Sequence, residues 1–176
     1  MECRVAEAKA AEQGDDDAEY RLGWMYENGR GIEMNLLVAM LLAQQMLFLV
    51  RHAEKVDNSR DAALSAAGEA RARGLVEKLQ DAGITAIFTS EYQRTRNTAA
   101  PLAAKLKIET QVHKADDTRG LVELLRKQQR ALVVGHSNTL PEIARAYGLS
   151  LEVSDDDFGS IFLLVPGDKP LLVRLH

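Results

Sequence analysis

The sequence predicts an α/β fold of three layers: a mostly parallel sheet with helices on both faces and an antiparallel C-terminal hairpin, preceded by a short α-helical segment. Three observations carry this. Apolar runs at 47–50 (LFLV), 84–89 (ITAIFT) and 131–135 (ALVVG) are too short for helices and rich in β-formers, as strands buried on both faces are. Stretches with apolar residues at helical spacing separate them, and strand–helix alternation makes parallel sheets. Near the end, Pro166-Gly167-Asp168-Lys169 parts two apolar runs, the pattern of a hairpin.

Residues 4–13 are rich in Ala and charge and read as a helix that Gly14 and the acidic 15–17 end. Residues 18–26 follow with helical apolar spacing, Asn28-Gly29-Arg30-Gly31 stops them, and 36–45 read as a second helix. Ala18, Leu22-Gly23, Met25-Tyr26, Asn28-Gly29, Gly31-Ile32 and Ala39 resemble a Sel1-like repeat, a relative of the tetratricopeptide helix pair. Solenoids need about three repeats to bury their faces. A single repeat over 1–45 is therefore expected to pack on the neighbouring domain, bind a protein partner or be poorly ordered; the plainer reading is a helical appendage without activity.

The main domain is expected over 46–176. A polar loop, 54–63, follows the first strand. Ser65 caps a helix with Ala72, Leu75, Val76 and Leu79 inward, and Gly83 ends it. After the strand at 84–89, Ser90 caps a helix through about Leu106, in which Pro101 is expected to make a kink or break. Residues 108–113 form a short strand. Thr118 or Arg119 opens a helix with Leu121, Val122, Leu124 and Leu125 inward. After the strand at 131–135, a helix over 139–147 tolerates Pro141 in its first turn, and 160–165 and 170–175 are the hairpin strands.

With 46% apolar and 27% charged residues, the 176-residue chain is globular. A net charge of −4 gives no general attraction to nucleic acid or membrane. One cysteine, Cys3, excludes an intrachain disulfide. Histidines at 52, 113, 136 and 176 lack zinc-type spacing, so no metal is expected. The apolar stretch 36–50 is broken by Gln44 and Gln45 and is too short to span a bilayer. An acidic N-terminus without a basic n-region is not a signal peptide, which points to the cytoplasm.

Three strands end in polar residues. The first ends in Arg51-His52, the second in Thr89-Ser90 with Arg94 one turn into the helix, and the third in Gly135-His136-Ser137-Asn138-Thr139. A parallel sheet gathers such ends at one edge. Two arginines, two histidines and helix N-termini suit a phosphoryl group, because guanidinium forks match phosphate oxygens and helix N-termini favour anions. One histidine can attack phosphorus if its attacking nitrogen is unprotonated and its other nitrogen is held by a backbone carbonyl; the other can donate to the equatorial oxygens. Plainer roles fit the neighbours. Ser137, Asn138 and Thr139 read as a turn and cap, Thr89 and Ser90 as a strand end and cap, 155–157 as a solvated loop, and His113 and His176 as exposed bystanders.

Arg51-His52-Ala53-Glu54-Lys55, Leu64-Ser65-x-x-Gly68, Thr89-Ser90-x-x-x-Arg94-x-x-x-Thr98 and Gly135-His136-Ser137-Asn138-Thr139 resemble, in this order, the histidine phosphatase superfamily. This is the phosphoglycerate-mutase-like group, with its short phosphohistidine-phosphatase-like branch nearest. The resemblance spans essentially all of 46–176. It implies that His52 is the nucleophile and becomes phosphohistidine, and that Arg51, Arg94 and His136 hold the phosphoryl oxygens. It also implies that no metal or organic cofactor is needed. For the general acid it points first to Asp116, in the loop where larger members place a carboxylate, and second to Glu54. The implied substrate is a phosphorylated small molecule or a phosphohistidine protein. Short loops leave little lid, which favours hydrolysis over a phosphoglycerate-type mutase. The intact Arg51, His52, Arg94 and His136 argue against a non-catalytic, repeat-bearing interaction module.

Overall fold

A computed structural model describes residues 44–175. The expectations for 1–43, including the Sel1-like repeat, and for His176 lie outside the described residues. Among the described residues ten elements follow one another, strand and helix alternating up to the final pair of strands: β1 (Met46–Arg51), α1 (Ala66–Leu79), β2 (Ala86–Ser90), α2 (Gln93–Leu106), β3 (Thr110–His113), α3 (Thr118–Leu125), β4 (Arg130–Gly135), α4 (Thr139–Ala146), β5 (Ile161–Val165) and β6 (Leu171–Leu175). They build one six-stranded sheet in the order β3-β2-β4-β1-β5-β6. The first four strands in that order are parallel; β5 is antiparallel to β1, and β6 closes the hairpin on β5.

Strand alternation divides the core into two layers. Leu47, Leu49, Phe88, Val133 and Phe162 face Val122 and Leu125 of α3 and Leu140 and Ile143 of α4. Phe48, Val50, Ile87, Leu132 and Val134 face Leu75 and Leu79 of α1 and Ala99 and Leu102 of α2. Apolar residues on both faces of every central strand are what the continuous apolar runs predicted.

The boundaries are local physics, with four corrections. Ser65 caps α1 as expected, its extended backbone letting the hydroxyl accept from Gly68 N at 3.1 Å. Ser90 does not cap α2. It is the last residue of β2, and α2 starts three residues later behind Tyr92, which makes no side-chain cap bond. The first helical amide is satisfied from outside the helix: Gln93 N donates to Asp61 Oδ1 at 2.7 Å. Pro101 does not end α2, which runs to Leu106 and stops at left-handed Lys107. A proline removes one helical hydrogen bond, and here Ala99, Leu102 and Ala103 around it are fully engaged in the core. In α3, Val122 and Leu125 are buried while Leu124 faces outward. Gln45, expected in a helix, is not helical; its side chain donates to Leu125 O and Gln128 O, both at 2.6 Å, closing the end of α3 against the start of β1.

Gly68 is fixed by a close approach. A Cβ there would run into the backbone oxygen of Glu54, which already accepts from Ser65 N at 2.9 Å. At Gly74, on the same helix, a Cβ would meet nothing within 4 Å. Gly68→Ala is expected to cost about 1–3 kcal/mol, as overpacking does. Gly74→Ala should instead stabilise by about 0.5–1 kcal/mol through helix propensity. Urea unfolding of the two variants beside the parent checks both signs.

Candidate active site

Strand register brings the polar residues together. β1 and β4 are parallel neighbours paired Arg51↔Gly135, so the next residues, His52 and His136, leave the sheet side by side. His52 N continues the ladder to Gly135 O at 3.0 Å. β2 lies on the other side of β4, paired Thr89↔Val134, which sets Ser90 beside the same exit. The two imidazoles are 5.3 Å apart, centroid to centroid, and edge-on at 62°. Both are buried at the base of an open cleft that Arg51, Arg94, Lys55, Arg60, Tyr92 and Asp116 also line.

His52 is oriented by its own loop. Its Nδ1 lies 2.8 Å from Ala53 O, and a carbonyl only accepts, so Nδ1 carries the proton. Nε2 is then the unprotonated nitrogen, in a ring that lines the cleft. Ala53 is pinned in turn: its N–H donates to Thr98 Oγ1 at 2.9 Å, and Thr98 donates to Arg94 O at 2.7 Å. The Thr four residues after Arg94 thus ties the α2 arginine to the loop carrying His52. Burial, with the charges of Arg51 and Arg94 adding, lowers the His52 pKa to about 4. Burial also lowers His136 to about 3, with Arg94 and His52 next in effect. Both rings are neutral at pH 7.

Each arginine lies on an aromatic face. Arg51 Cζ sits 4.3 Å from the ring centroid of Phe158, and Arg94 Cζ sits 4.2 Å from that of Tyr92. Arg51 also donates through Nη1 to Asp155 O, and Arg94 through Nη1 to Arg60 O at 2.8 Å. In both, Nε is buried without a hydrogen-bond partner among the described residues. Tyr92 and Phe158 were missed in the sequence, and only their proximity to the motif residues in the fold reveals them.

The 155–157 loop is not merely solvated. Asp155 Oδ1 accepts from Ser137 Oγ at 2.8 Å and lies 3.5 Å from Arg51 Nη2; Asp157 Oδ2 lies 2.8 Å from Arg174 Nη2. Thr139, read as part of a cap, does close the β4–α4 turn: its Oγ1 accepts from His136 N at 2.9 Å. His113, expected as a bystander, places Nε2 2.7 Å from Asp117 O and 3.1 Å from Asp117 Oδ2.

The two acid candidates separate. Asp116 lines the cleft. Glu54 does not; it is forked by Arg71, whose Nε lies 2.9 Å from both carboxylate oxygens. That pairing lowers the Glu54 pKa and keeps it a carboxylate, which makes it a poor proton donor. A third carboxylate, Glu91, also lines the cleft and accepts from Ala115 N at 2.8 Å, holding the loop that carries Asp116.

Two histidines held neutral have a consequence for stability. Their folded pKa values of about 4 and about 3 lie below the ordinary 6.5, so below that pH the unfolded chain binds more protons than the folded one. Stability is therefore complete above pH 6.5 and falls as pH drops toward 4. Urea midpoints should decline through that window in the parent and stay flatter in a His52→Gln/His136→Gln double variant.

No curated protein matches the sequence. Solved structures do match the fold. A candidate alpha-ribazole-5'-P phosphatase from Escherichia coli aligns at TM-score 0.63 and 18% identity, covering 75% of this chain and 96% of that one. A candidate phosphohistidine phosphatase SixA from Agrobacterium tumefaciens aligns at 0.58 and 18%, covering 75% and 98%. The mycobacterial glucosyl-3-phosphoglycerate phosphatase aligns at 0.56 and 13%, covering 69% and 90%. The sheet, its helix layers and the closing hairpin share the fold of these solved structures, and residues 47–124 match the sequence model of the histidine phosphatase superfamily (branch 1).

Proposed function

We propose that residues 46–176 form a histidine phosphatase domain that hydrolyses a phosphomonoester or phosphohistidine through a covalent phosphohistidine on His52. The observation that carries the reading is the state of His52: Nδ1 is committed to Ala53 O, so the unprotonated Nε2 belongs to a cleft that two arginines and a second histidine also line. A neutral imidazole nitrogen beside guanidinium groups is a nucleophile matched to an anionic phosphoryl group.

In the first step Nε2 of His52 bonds to phosphorus and the bond from phosphorus to the leaving atom breaks. Arg51 and Arg94 take the charge that gathers on the equatorial oxygens, and His136 holds one of those oxygens. The leaving atom needs a proton, which Asp116 at the lining of the cleft supplies on this reading; a phosphohistidine substrate needs less help because its leaving nitrogen protonates readily. In the second step water attacks phosphorus, the P–N bond breaks, and inorganic phosphate leaves with His52 restored. The names of the three structural neighbours, all phosphatases, support the class of reaction, and the short loops around the cleft support hydrolysis over phosphoryl retention.

The test uses p-nitrophenyl phosphate and a phosphohistidine protein as substrates. The parent should turn both over, and acid-labile, base-stable phosphate should be trapped on His52 by rapid quenching. His52→Ala is expected to lower kcat by roughly 10⁴–10⁶-fold, the scale of losing a nucleophile. Arg94→Ala should cost about 10²–10³-fold, the scale of losing a transition-state donor. Equal rates for parent and His52→Ala would end the proposal. Transfer of phosphate from a bisphosphate primer to 3-phosphoglycerate, without hydrolysis, would replace it with a mutase.

A further inference from the structure

Two buried hydroxyls beside the cleft have no role in the steps above. Ser90 Oγ lies 3.1 Å from His136 Nε2 and 2.8 Å from Thr95 Oγ1, and Thr95 Oγ1 lies 2.8 Å from Tyr92 O. Thr95 is fully buried, and Ser90 and His136 nearly so. His136 lines the cleft and neither Ser90 nor Thr95 is among the residues that do, so the hydroxyls act there through the ring.

Counting protons orders this chain. Tyr92 O can only accept, so the short contact needs the Thr95 proton. The Ser90 proton must then fill the 2.8 Å gap to Thr95 Oγ1. The reverse order would leave Thr95 Oγ1 against Tyr92 O at 2.8 Å with no proton between them. Ser90 Oγ keeps two lone pairs. One faces Tyr92 N–H at 3.4 Å, and the other faces His136 Nε2, which must therefore be the protonated nitrogen. Nδ1 of the neutral ring carries the lone pair. It has no hydrogen-bond partner among the described residues and belongs to a ring that lines the cleft.

We propose that Ser90, backed by Thr95, is a positioning residue that holds the Nε2 proton of His136, so that Nδ1 meets the phosphoryl group as an acceptor. The group is then taken up as a monoanion whose remaining proton bridges one oxygen and Nδ1. The inference deepens the phosphatase reading by naming the ionic form of the substrate, and rests on it for that part. The charged and titratable groups around the ring are Arg51, His52, Lys55 and Arg60 from the exit of β1 and the loop after it, Glu91, Tyr92 and Arg94 between β2 and the first turn of α2, His113, Lys114 and Asp116 from β3 and the loop before α3, and Asp155, which Ser137 binds. Arg51 and Arg94 disfavour a second proton on the ring of the unliganded protein, so the bridging proton comes with the substrate.

The first test is NMR of the full chain labelled with ¹⁵N-histidine, with His136 assigned by its loss in His136→Gln. At pH 7 the parent should show His136 protonated at Nε2. Thr95→Val, which removes the acceptor and turns the Ser90 proton toward Nε2, should move the His136 proton to Nδ1. Ser90→Ala should give a mixture of the two forms, and Ser90→Thr should restore the parent form. A parent protonated at Nδ1, or variants with the parent's spectrum, would overturn the proposal, and two independent variants guard against one failing to fold.

The second test is the pH profile of kcat/KM for a phosphomonoester, whose second ionisation lies near pH 6. The parent should fall about tenfold per pH unit above that value, and Thr95→Val should fall less steeply, because an Nδ1–H can donate to the dianion. A flat parent profile would overturn the monoanion claim. A parent that hydrolyses no phosphoester would sink the phosphatase reading while leaving the histidine spectra to decide the role of Ser90.

Discussion

The site depends on the register between two neighbouring parallel strands. Pairing Arg51 with Gly135 puts the residue after each at the same height on the sheet edge, and those residues are the two histidines. A slip of one residue would point one imidazole to the opposite face of the sheet. The register is held from both sides. The strands are apolar on both faces and must satisfy two helix layers at once. His52 N then extends the ladder one bond beyond the strand. Gly135 belongs to this constraint: a Cβ there would press on Leu140 Cδ2 at 2.7 Å and Thr139 Oγ1 at 2.9 Å, in the tight turn that delivers His136 and starts α4.

Upon that frame the floor of the cleft is cationic. Two guanidinium groups face two neutral imidazoles, and no carboxylate makes a forked pair with either arginine among the described residues. Arg51 is met by backbone oxygens, the rim carboxylate of Asp155 and Phe158; Arg94 is met by a backbone oxygen and Tyr92. Carbonyls and ring faces orient a cation without neutralising it. Glu54 and Arg71, by contrast, neutralise each other outside the cleft, and their bond ties the loop after His52 to α1. Burial first, and after it the neighbouring cations, keep both histidines neutral, so the charges that suit the cleft to an anion also disfavour a second proton on either ring.

Much of this was readable in the sequence because it is local. Apolar runs named the central strands, Ser65 named its cap, and the four motifs named Arg51, His52, Arg94 and His136 before any fold was in hand. What escaped depends on distant partners. Ser90 is a residue type that caps helices, yet its hydroxyl belongs to the His136 chain, while Asp61, thirty-two residues before Gln93, serves the helix instead. Pro101 reads as a breaker, and the packing around it decides otherwise. Glu54 sits two residues from His52, but the Arg71 side chain that claims it comes from the next helix. Tyr92 and Phe158 carry no motif, and only the fold sets their rings under the arginines. The acidic 155–157 looks like surface until Arg51, Ser137 and Arg174 are placed around it.

The account stands on a single claim, that Nε2 of His52 is poised to bond to phosphorus at the floor of a cationic cleft. A crystal structure of the chain with orthovanadate, which takes five ligands as phosphorus does in flight, tests it most directly. The account predicts vanadium bonded to Nε2 of His52, with Arg51, Arg94 and His136 reaching its equatorial oxygens. Vanadate bound away from His52, or a cleft that leaves it unbound at saturating concentration, would contradict it.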